Sequence, residues 1–222
     1  MAGLIEEIQR DALDTKVPID ALLRRVKLAA AKLQLKDLAA WVDQELNGYK
    51  QTALPSYREV WGNPAAWNPF NGWIPVHCAD SHINELISKA RINEPIASIR
   101  DLIDRGANDT CHFSIPAQLV DLINQRLNFE TARMVIQIPR GGLVGILDKV
   151  RNLSLEWAIE MEQRGIVGEG ISFNVRERQE AQTAMANFTI GSIGNFSGNL
   201  GVENRSGDIK VSLKQATEIS SC

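Results

Sequence analysis

Apolar residues recur at steps of three and four through the first fifty residues of the chain. A first stripe begins at Leu4, a second follows Pro18, and a third runs from Leu35 to a stop at Gly48. This spacing places the apolar side chains on one face of each segment, and Pro is favoured at the first turn of a helix. The pattern therefore predicts three helices that pack through their apolar faces.

Residues 54–76 break this periodicity and are rich in proline and aromatic residues. Four of the eight prolines fall here, and prolines at this density exclude a regular helix. We expect irregular loops with short strands near residues 57–61 and 73–76. The aromatic side chains are either a recognition surface or a plug between helices and sheet, since aromatic residues bury large areas. The candidate recognition residues are Tyr57, Trp61, Trp67 and Trp73.

The remainder of the first 178 residues alternates helix and strand signals. Helices are predicted from Asp80 or Ser81 through Arg91, after Pro95 and after Pro116, and strands over residues 110–115 and 131–139. The clearest helix covers residues 143–164 and ends at Gly165, and a last charged helix begins at residue 175. These elements predict an α+β fold, mostly helical with a small sheet, in a domain of residues 1–178. Residues 179–222 are expected to hold a short helix end and a tail.

The tail from residue 187 onward has five glycines, no proline and no tryptophan. We interpret it as a β-hairpin-like segment, and because a lone hairpin is marginal in water, its apolar side chains need a partner. It folds back on its own domain, pairs with the tails of other subunits, or stacks through open strand edges as amyloid-like segments do. We favour the shared tail as an oligomerisation element. Its candidate residues are Ile190, Ile193, Gly194, Asn195, Phe196, Gly198, Asn199, Leu200 and Gly201.

Composition and charge narrow the class of protein. The chain has 222 residues, 44% of them hydrophobic, and 24 basic against 27 acidic residues give a net charge of −3. These values are typical of a globular protein and give no strong nucleic-acid signal. The acidic, amphipathic start does not look like a signal peptide, and no apolar run is long enough to span a membrane. Three widely spaced cysteines favour free thiols, so we expect a cytoplasmic protein without a membrane partner.

No strong catalytic motif is present, and we predict no catalytic residue, no metal and no cofactor. Residues 140–142 (RGG) before a helix are weakly suggestive of an anion site, but a plain strand-to-helix turn explains them better. The types of side chain in His77, Cys78, His82, Cys111 and His112 suit zinc. Adjacent residues of a strand face opposite sides, however, so this spacing favours structural roles. Glu169 stands between glycines, and one carboxylate does not make a mechanism.

Several blocks of sequence resemble the AbiTii domain family, which is linked to bacterial abortive infection. They are residues 4–14 (LIEEIQRDALD), 41–49 (WVDQELNGY), 68–75 (NPFNGWIP), 144–152 (VGILDKVRN) and 165–173 (GIVGEGISF), in one order. The resemblance implies a domain of phage-defence systems. It implies no catalytic residues, and the tail lies outside the resembling region.

We therefore expect a non-enzymatic anti-phage defence protein. In this hypothesis the chain is a homo-oligomer assembled through its tail, and the helical domain recruits, senses or regulates a phage or effector protein. Two alternatives come from other classes. One is an infection-activated nuclease or nucleotide hydrolase that uses Glu169, the histidines or acidic helix faces. The other is a module that binds a small-molecule signal in the Trp-rich region.

Overall fold

A computed structural model describes residues 2–50, 54–105, 109–127, 131 and 133–187 of the chain. These residues form an α+β fold that is mainly helical with small antiparallel sheets, as the sequence predicts. The helices are α1 Leu4–Leu13, α2 Ile19–Leu33, α3 Lys36–Asn47, α4 Ser81–Ser88, α5 Ile96–Arg105, α6 Ala117–Leu127, α7 Arg140–Gln163 and α8 Val175–Asn187. The strands are β1 Glu59–Trp61, β2 Asn63–Asn68, β3 Gly72–Pro75, β4 Lys89–Arg91, β5 Thr110–Ser114 and β6 Met134–Pro139.

The three predicted N-terminal helices pack with the long helix α7, two of them directly and the third through α2. α1 and α2 both pack on α7, α3 packs on α2, and α5 and α8 complete the helical layer. Trp157 of α7 is 1% exposed and belongs to the same core as Leu23 and Val26 of α2. The apolar stripes that predicted the helices are therefore the surfaces that hold them together.

Two antiparallel sheets lie against this layer. The larger has the strand order β3-β2-β6-β5, and the smaller pairs β1 with β4. Only Gly62 separates β1 from β2. A Cβ at Gly62 would lie 2.6 Å from the carbonyl oxygen of Gln137, so glycine permits the close approach of this junction to β6.

The Pro-rich segment is more regular than we predicted, because it contains β2 as well as β1 and β3. Pro64 lies inside β2, where its carbonyl accepts a hydrogen bond of 2.9 Å from the amide of Val76. The turn between β2 and β3 is built by Asn68, whose side-chain oxygen accepts from the amides of Phe70 and Asn71. Local turn chemistry thus makes a hairpin in a segment whose prolines indicated loops.

The predicted helix from residue 81 through Arg91 is too long. Asp80 caps its start as expected, accepting from the amides of His82 and Ile83, but α4 ends at Ser88. Residues 89–91 instead form β4, and Gly62 donates a hydrogen bond of 2.8 Å to the carbonyl of Ser88. Pairing with β1 overrides the local helix signal.

The interpretation of residues 140–142 as a turn before the helix is also wrong. α7 begins at Arg140, directly after Pro139, so Gly141 and Gly142 lie in its first turn. A Cβ on Gly142 would come within 2.7 Å of Val60, which explains why a poor helix former is used there. The predicted end at Gly165 is confirmed, because this residue has φ +73°, a conformation that favours glycine.

Some of the predictions for the end of the chain concern residues that the structure does not describe. Residues 188–222, and with them all nine candidate oligomerisation residues, lie outside the described residues. α8 runs across the predicted domain boundary at residues 178 and 179. None of the described helices is long and apolar enough to cross a bilayer.

Candidate recognition surface

One face of the larger sheet carries aromatic and amide side chains in place of core residues. Trp67 pairs with Trp73 across β2 and β3, and Asn63, Gln137 and His112 align across β2, β6 and β5. Residues opposite each other, or two apart, share a face of a sheet. Both tryptophans therefore lie on the same face as His112 and Gln137, and the opposite face enters the core.

The aromatic rings on this face contact one another. Trp67 and Trp73 meet edge to face with 5.2 Å between ring centroids, and Trp73 meets His112 in the same way at 5.2 Å. The guanidinium of Arg133 lies 5.4 Å from the centre of the Trp73 ring, in cation–π contact. We call Trp67, Trp73, His112, Arg133 and Gln137 the aromatic face.

This surface is partly open to solvent although it holds two tryptophans. Trp67 is 44% exposed, and Phe70 at the tip of the hairpin is 94% exposed. Residues 62–79 contain no Asp, Glu, Lys or Arg, so Arg133 supplies the charge in the aromatic face. Aromatic residues and arginine without lysine or carboxylates are the composition of the central part of protein interfaces.

The structure separates the other two candidate recognition residues from this face. Trp61, on β1, is 56% exposed and lies beside Lys89, whose ammonium is 5.9 Å from the ring centre. Tyr57 is half-buried and packs against the core. The alternative of a core plug is wrong for Trp61 and Trp67, because both present a large share of their surface to solvent. Alternate residues of the strands in this Trp-rich segment lie on opposite faces. The prolines interrupt this period of two, so the sequence did not show which tryptophans share a face.

Tyr57 belongs to a buried ionic cluster made by α3 and the 3-10 turn Ser56–Arg58. Glu45 and Arg58 form an ion pair, and both side chains are 0% exposed. The hydroxyls of Tyr49 and Tyr57 each donate to Oε1 of Glu45 at 2.6 Å, and the indole of Trp41 donates to the Tyr57 hydroxyl at 2.9 Å. The cluster is enclosed by the protein, so we assign it a structural role.

The other terminal nitrogen of Arg58 links this cluster to the segment after β4. Its Nη1 donates to the carbonyls of Ile92 and Glu94, at 3.2 and 2.7 Å. Burial, followed by the Glu45 charge, raises the pKa values of Tyr49 and Tyr57 far above the ordinary tyrosine range. Both phenols thus stay protonated and serve as donors to Glu45. The Glu45–Arg58 pair is not predictable from the sequence pattern, because charged residues on a helix are usually solvated.

The histidines and cysteines do not converge on one site. Cys111 packs against the core side of β5 while His112 stacks on Trp73, which confirms that they face opposite sides. Within the described ranges, no three His, Cys, Asp or Glu side chains are grouped to hold a metal ion. Cys78 and Cys111 are free thiols.

The carboxylates considered for catalysis are dispersed on the surface. Asp101 pairs with Arg105 at 2.7 Å and Glu160 with Arg164 at 2.6 Å, each within one helix. Glu162 accepts a hydrogen bond from Gln9. Glu169 is exposed, and its backbone closes a small bridge with Ser172. The Asp101, Glu160 and Glu169 contacts are local, and the Gln9–Glu162 bond joins α1 to α7.

Comparison with known proteins identifies the domain. No match is found among curated proteins or among solved structures. A family model described as AbiTii matches residues 3–186, which include the aromatic face, the buried ionic cluster and the described helices α1 to α8 except the last residue of α8. The family suggests a role in abortive infection, a form of defence against phage. The chain belongs to the AbiTii family.

Proposed function

We propose that this chain is a non-enzymatic anti-phage defence protein that assembles through its C-terminal tail and recognises a phage or effector protein through the aromatic face. The family supplies the defence context. The aromatic face carries the recognition half of the proposal, because its two contacting tryptophans are held on a sheet, with Trp67 exposed and Trp73 partly exposed to solvent. Rigid aromatic side chains lose little conformational entropy on binding.

Assembly and recognition have complementary roles in this account. The tail brings several aromatic faces together, and linked weak sites give avidity without any new contact. A response that requires several simultaneous contacts then sets a threshold for a defence that is costly to the cell.

Phage plating on cells that carry the chain tests recognition. Replacing both tryptophans, as Trp67→Ala with Trp73→Ala, removes the two contacting rings and should abolish protection. Leu13→Ser is the matched control, because Leu13 is 71% exposed on α1 and is absent from the aromatic face. Full protection by the double variant, at wild-type protein level, would contradict the proposed role of the aromatic face.

Light scattering on the purified full chain tests assembly. The wild type should have the mass of a defined oligomer, whereas Gly194→Arg and Phe196→Asp should give folded monomers. Unchanged masses for both variants would remove the tail from the assembly contact.

A further inference from the structure

A groove with a volume of about 920 Å³ lies between β4 and β5. One wall is formed by residues 89–91 with Asn93 and Glu94, and the other by the consecutive residues 111–116. Successive side chains of a strand point to opposite faces. A groove that is lined by consecutive residues of a strand, as by residues 111–114 of β5, therefore runs along the edge of that strand and not only over one face.

The hydrogen-bond pattern shows which peptide groups of β5 face the groove. Asp109 accepts from Arg140 and Ile115 donates to Met134, so the odd-numbered residues of this strand bond to β6 and its continuation. The peptide groups of Thr110, His112 and Ser114 point the other way. Among the described residues, β5 pairs with β6 alone.

The opposite wall has the same property. Ile92 donates to Arg58 and Gly62 donates to Ser88, so the even-numbered residues around β4 bond to the β1 side. Lys89 and Arg91 therefore direct their peptide groups away from β1. Both walls of the groove thus offer backbone donors and acceptors that a further strand would satisfy.

The charges around the groove do not select an anion. Lys89 and Arg91 both lie near Glu59, at 2.6 and 3.8 Å, and Arg105 pairs with Asp101 at 2.7 Å. The lining also includes Glu94. The three cations are thus matched by three carboxylates, while Leu86 and Leu102, which are 48% and 41% exposed, add apolar surface. This chemistry suits an uncharged, half-apolar strand.

The chain contains such a strand in its tail. Residues 187–202 have no charged side chain. Within them, residues 194–200 alternate, with Gly194, Phe196, Gly198 and Leu200 on one side and Asn195, Ser197 and Asn199 on the other. This period of two gives an extended segment one apolar and one polar face.

The contacts of α2 indicate which copy supplies the strand. Gln182 of α8 bonds Gln34 at one end of α2, whereas Arg100 of α5, next to the groove, bonds Asp20 at the other end. Gln34 lies 14 positions after Asp20, an axial distance of roughly 20 Å along α2. Residues 188–193 can span at most about 20 Å, at about 3.3 Å per residue, which is no more than the separation of these two ends of α2. A second copy meets no such constraint.

We propose that the groove binds residues 194–200 of a second copy of the chain as a strand added along β5. The inference rests on the proposed assembly through the tail and names the surface that receives it. Phe196 and Leu200 face the apolar floor of the groove, and the peptide groups of His112 and Ser114 bond the incoming strand. A β-strand addition of this kind gives a head-to-tail contact between copies.

Two substitutions at one position test the backbone contact in the full chain. His112→Ala keeps the outward amide and should retain the oligomer mass in light scattering. His112→Pro removes that amide without touching a bond to β6, and should give a monomer with unchanged far-UV circular dichroism. A monomeric wild type would refute both assembly and the groove. If His112→Pro stays oligomeric while Phe196→Asp is monomeric, the groove is refuted and tail-driven assembly stands.

A side-chain variant and amide exchange keep the test decisive if His112→Pro does not fold. Leu102→Asp at the rim of the groove should give monomers, whereas the control Leu13→Asp should not. The amides of His112 and Ser114 should exchange slowly in the wild type and fast in Phe196→Asp. Equal exchange in both proteins would overturn the proposal. The proposal would also be overturned if the wild type bound adenosine monophosphate saturably and Leu102→Asp lost this binding while it stayed oligomeric.

Discussion

The carboxylate of Glu45 and the guanidinium of Arg58 bind each other with no exposure to solvent, 13 residues apart in the chain. The pair joins α3 to the turn that precedes β1, and Arg58 also holds the backbone of Ile92 and Glu94. The buried Arg58 therefore connects one wall of the groove to the turn that leads into β1.

Breaking this pair should destabilise the protein strongly. Glu45→Gln leaves the Arg58 charge buried without a counter-charge, which costs about 3–5 kcal/mol. Urea unfolding followed by circular dichroism measures the loss. The double variant Glu45→Leu with Arg58→Met should lose less than the sum of its two single variants, because it leaves no orphan charge. A loss below about 1 kcal/mol for Glu45→Gln would contradict this account.

Alkaline pH should unfold the protein before its tyrosines ionise. Both tyrosines of the chain are in the buried cluster, and their folded pKa values lie above the unfolded value of about 10. Their contribution to stability is complete below pH 10 and is lost as the pH rises toward the folded values. Each tyrosine should lower the free energy of unfolding by about 1.4 kcal/mol per pH unit in that range.

Absorbance at the phenolate wavelength, recorded together with circular dichroism, checks this prediction. Phenolate absorbance should appear only with unfolding, and Tyr57→Phe should make the decline of stability with pH less steep. Ionisation of either tyrosine in a folded protein near pH 10 would contradict the structure.

Acid should remove the contribution of Asp20 to the free energy of unfolding. Partial burial acts to raise the pKa of Asp20, but the hydrogen bond from Arg24 and the charge of Arg100 outweigh it and hold this pKa below its usual value. The stabilisation is therefore present above the unfolded pKa and lost as the pH falls through the folded one. Asp20→Asn should cost about 1 kcal/mol at neutral pH, and its stability should converge with that of the wild type in acid. A constant difference from pH 7 to acid would exclude this linkage.

The junction between β1 and β2 should reject any side chain. Gly62→Ala would place a methyl group 2.6 Å from a carbonyl oxygen of β6, so we expect a loss of about 1–3 kcal/mol in thermal or urea unfolding. Gly145→Ala in α7 is the control, because its Cβ would meet no atom within 4 Å and should stabilise the helix by about 0.5–1 kcal/mol. Equal effects of the two substitutions would show that the junction is not tightly packed.

Periodicity predicted the helical part well because those helices bury one continuous face. Long stripes such as those of α2 and α7 have no competing interpretation, and the Asp80 cap follows from local hydrogen bonding. β4 was missed because three residues after an apolar helix acquire strand geometry only through pairing with β1. Long-range contacts of this kind leave no local signal.

The candidate surface was predictable only in part. Residue type indicated Trp67 and Trp73 as candidates, because they are aromatic. His112, Arg133 and Gln137 join them only through the register of strands from distant segments. Tyr57 looked similar in sequence, yet its hydroxyl is bound to Glu45 in the core. Residue type alone did not separate a ring at the surface from a ring in an internal network.

Growth of infected cultures tests the defence role most directly. Cells with the wild-type chain and cells with Trp67→Ala and Trp73→Ala are infected with far fewer phage than cells, and culture density is followed. The account predicts that the wild-type culture survives, that the double-variant culture collapses, and that the Leu13→Ser control survives. Survival of the double-variant culture, or collapse of all three, would contradict defence through the aromatic face.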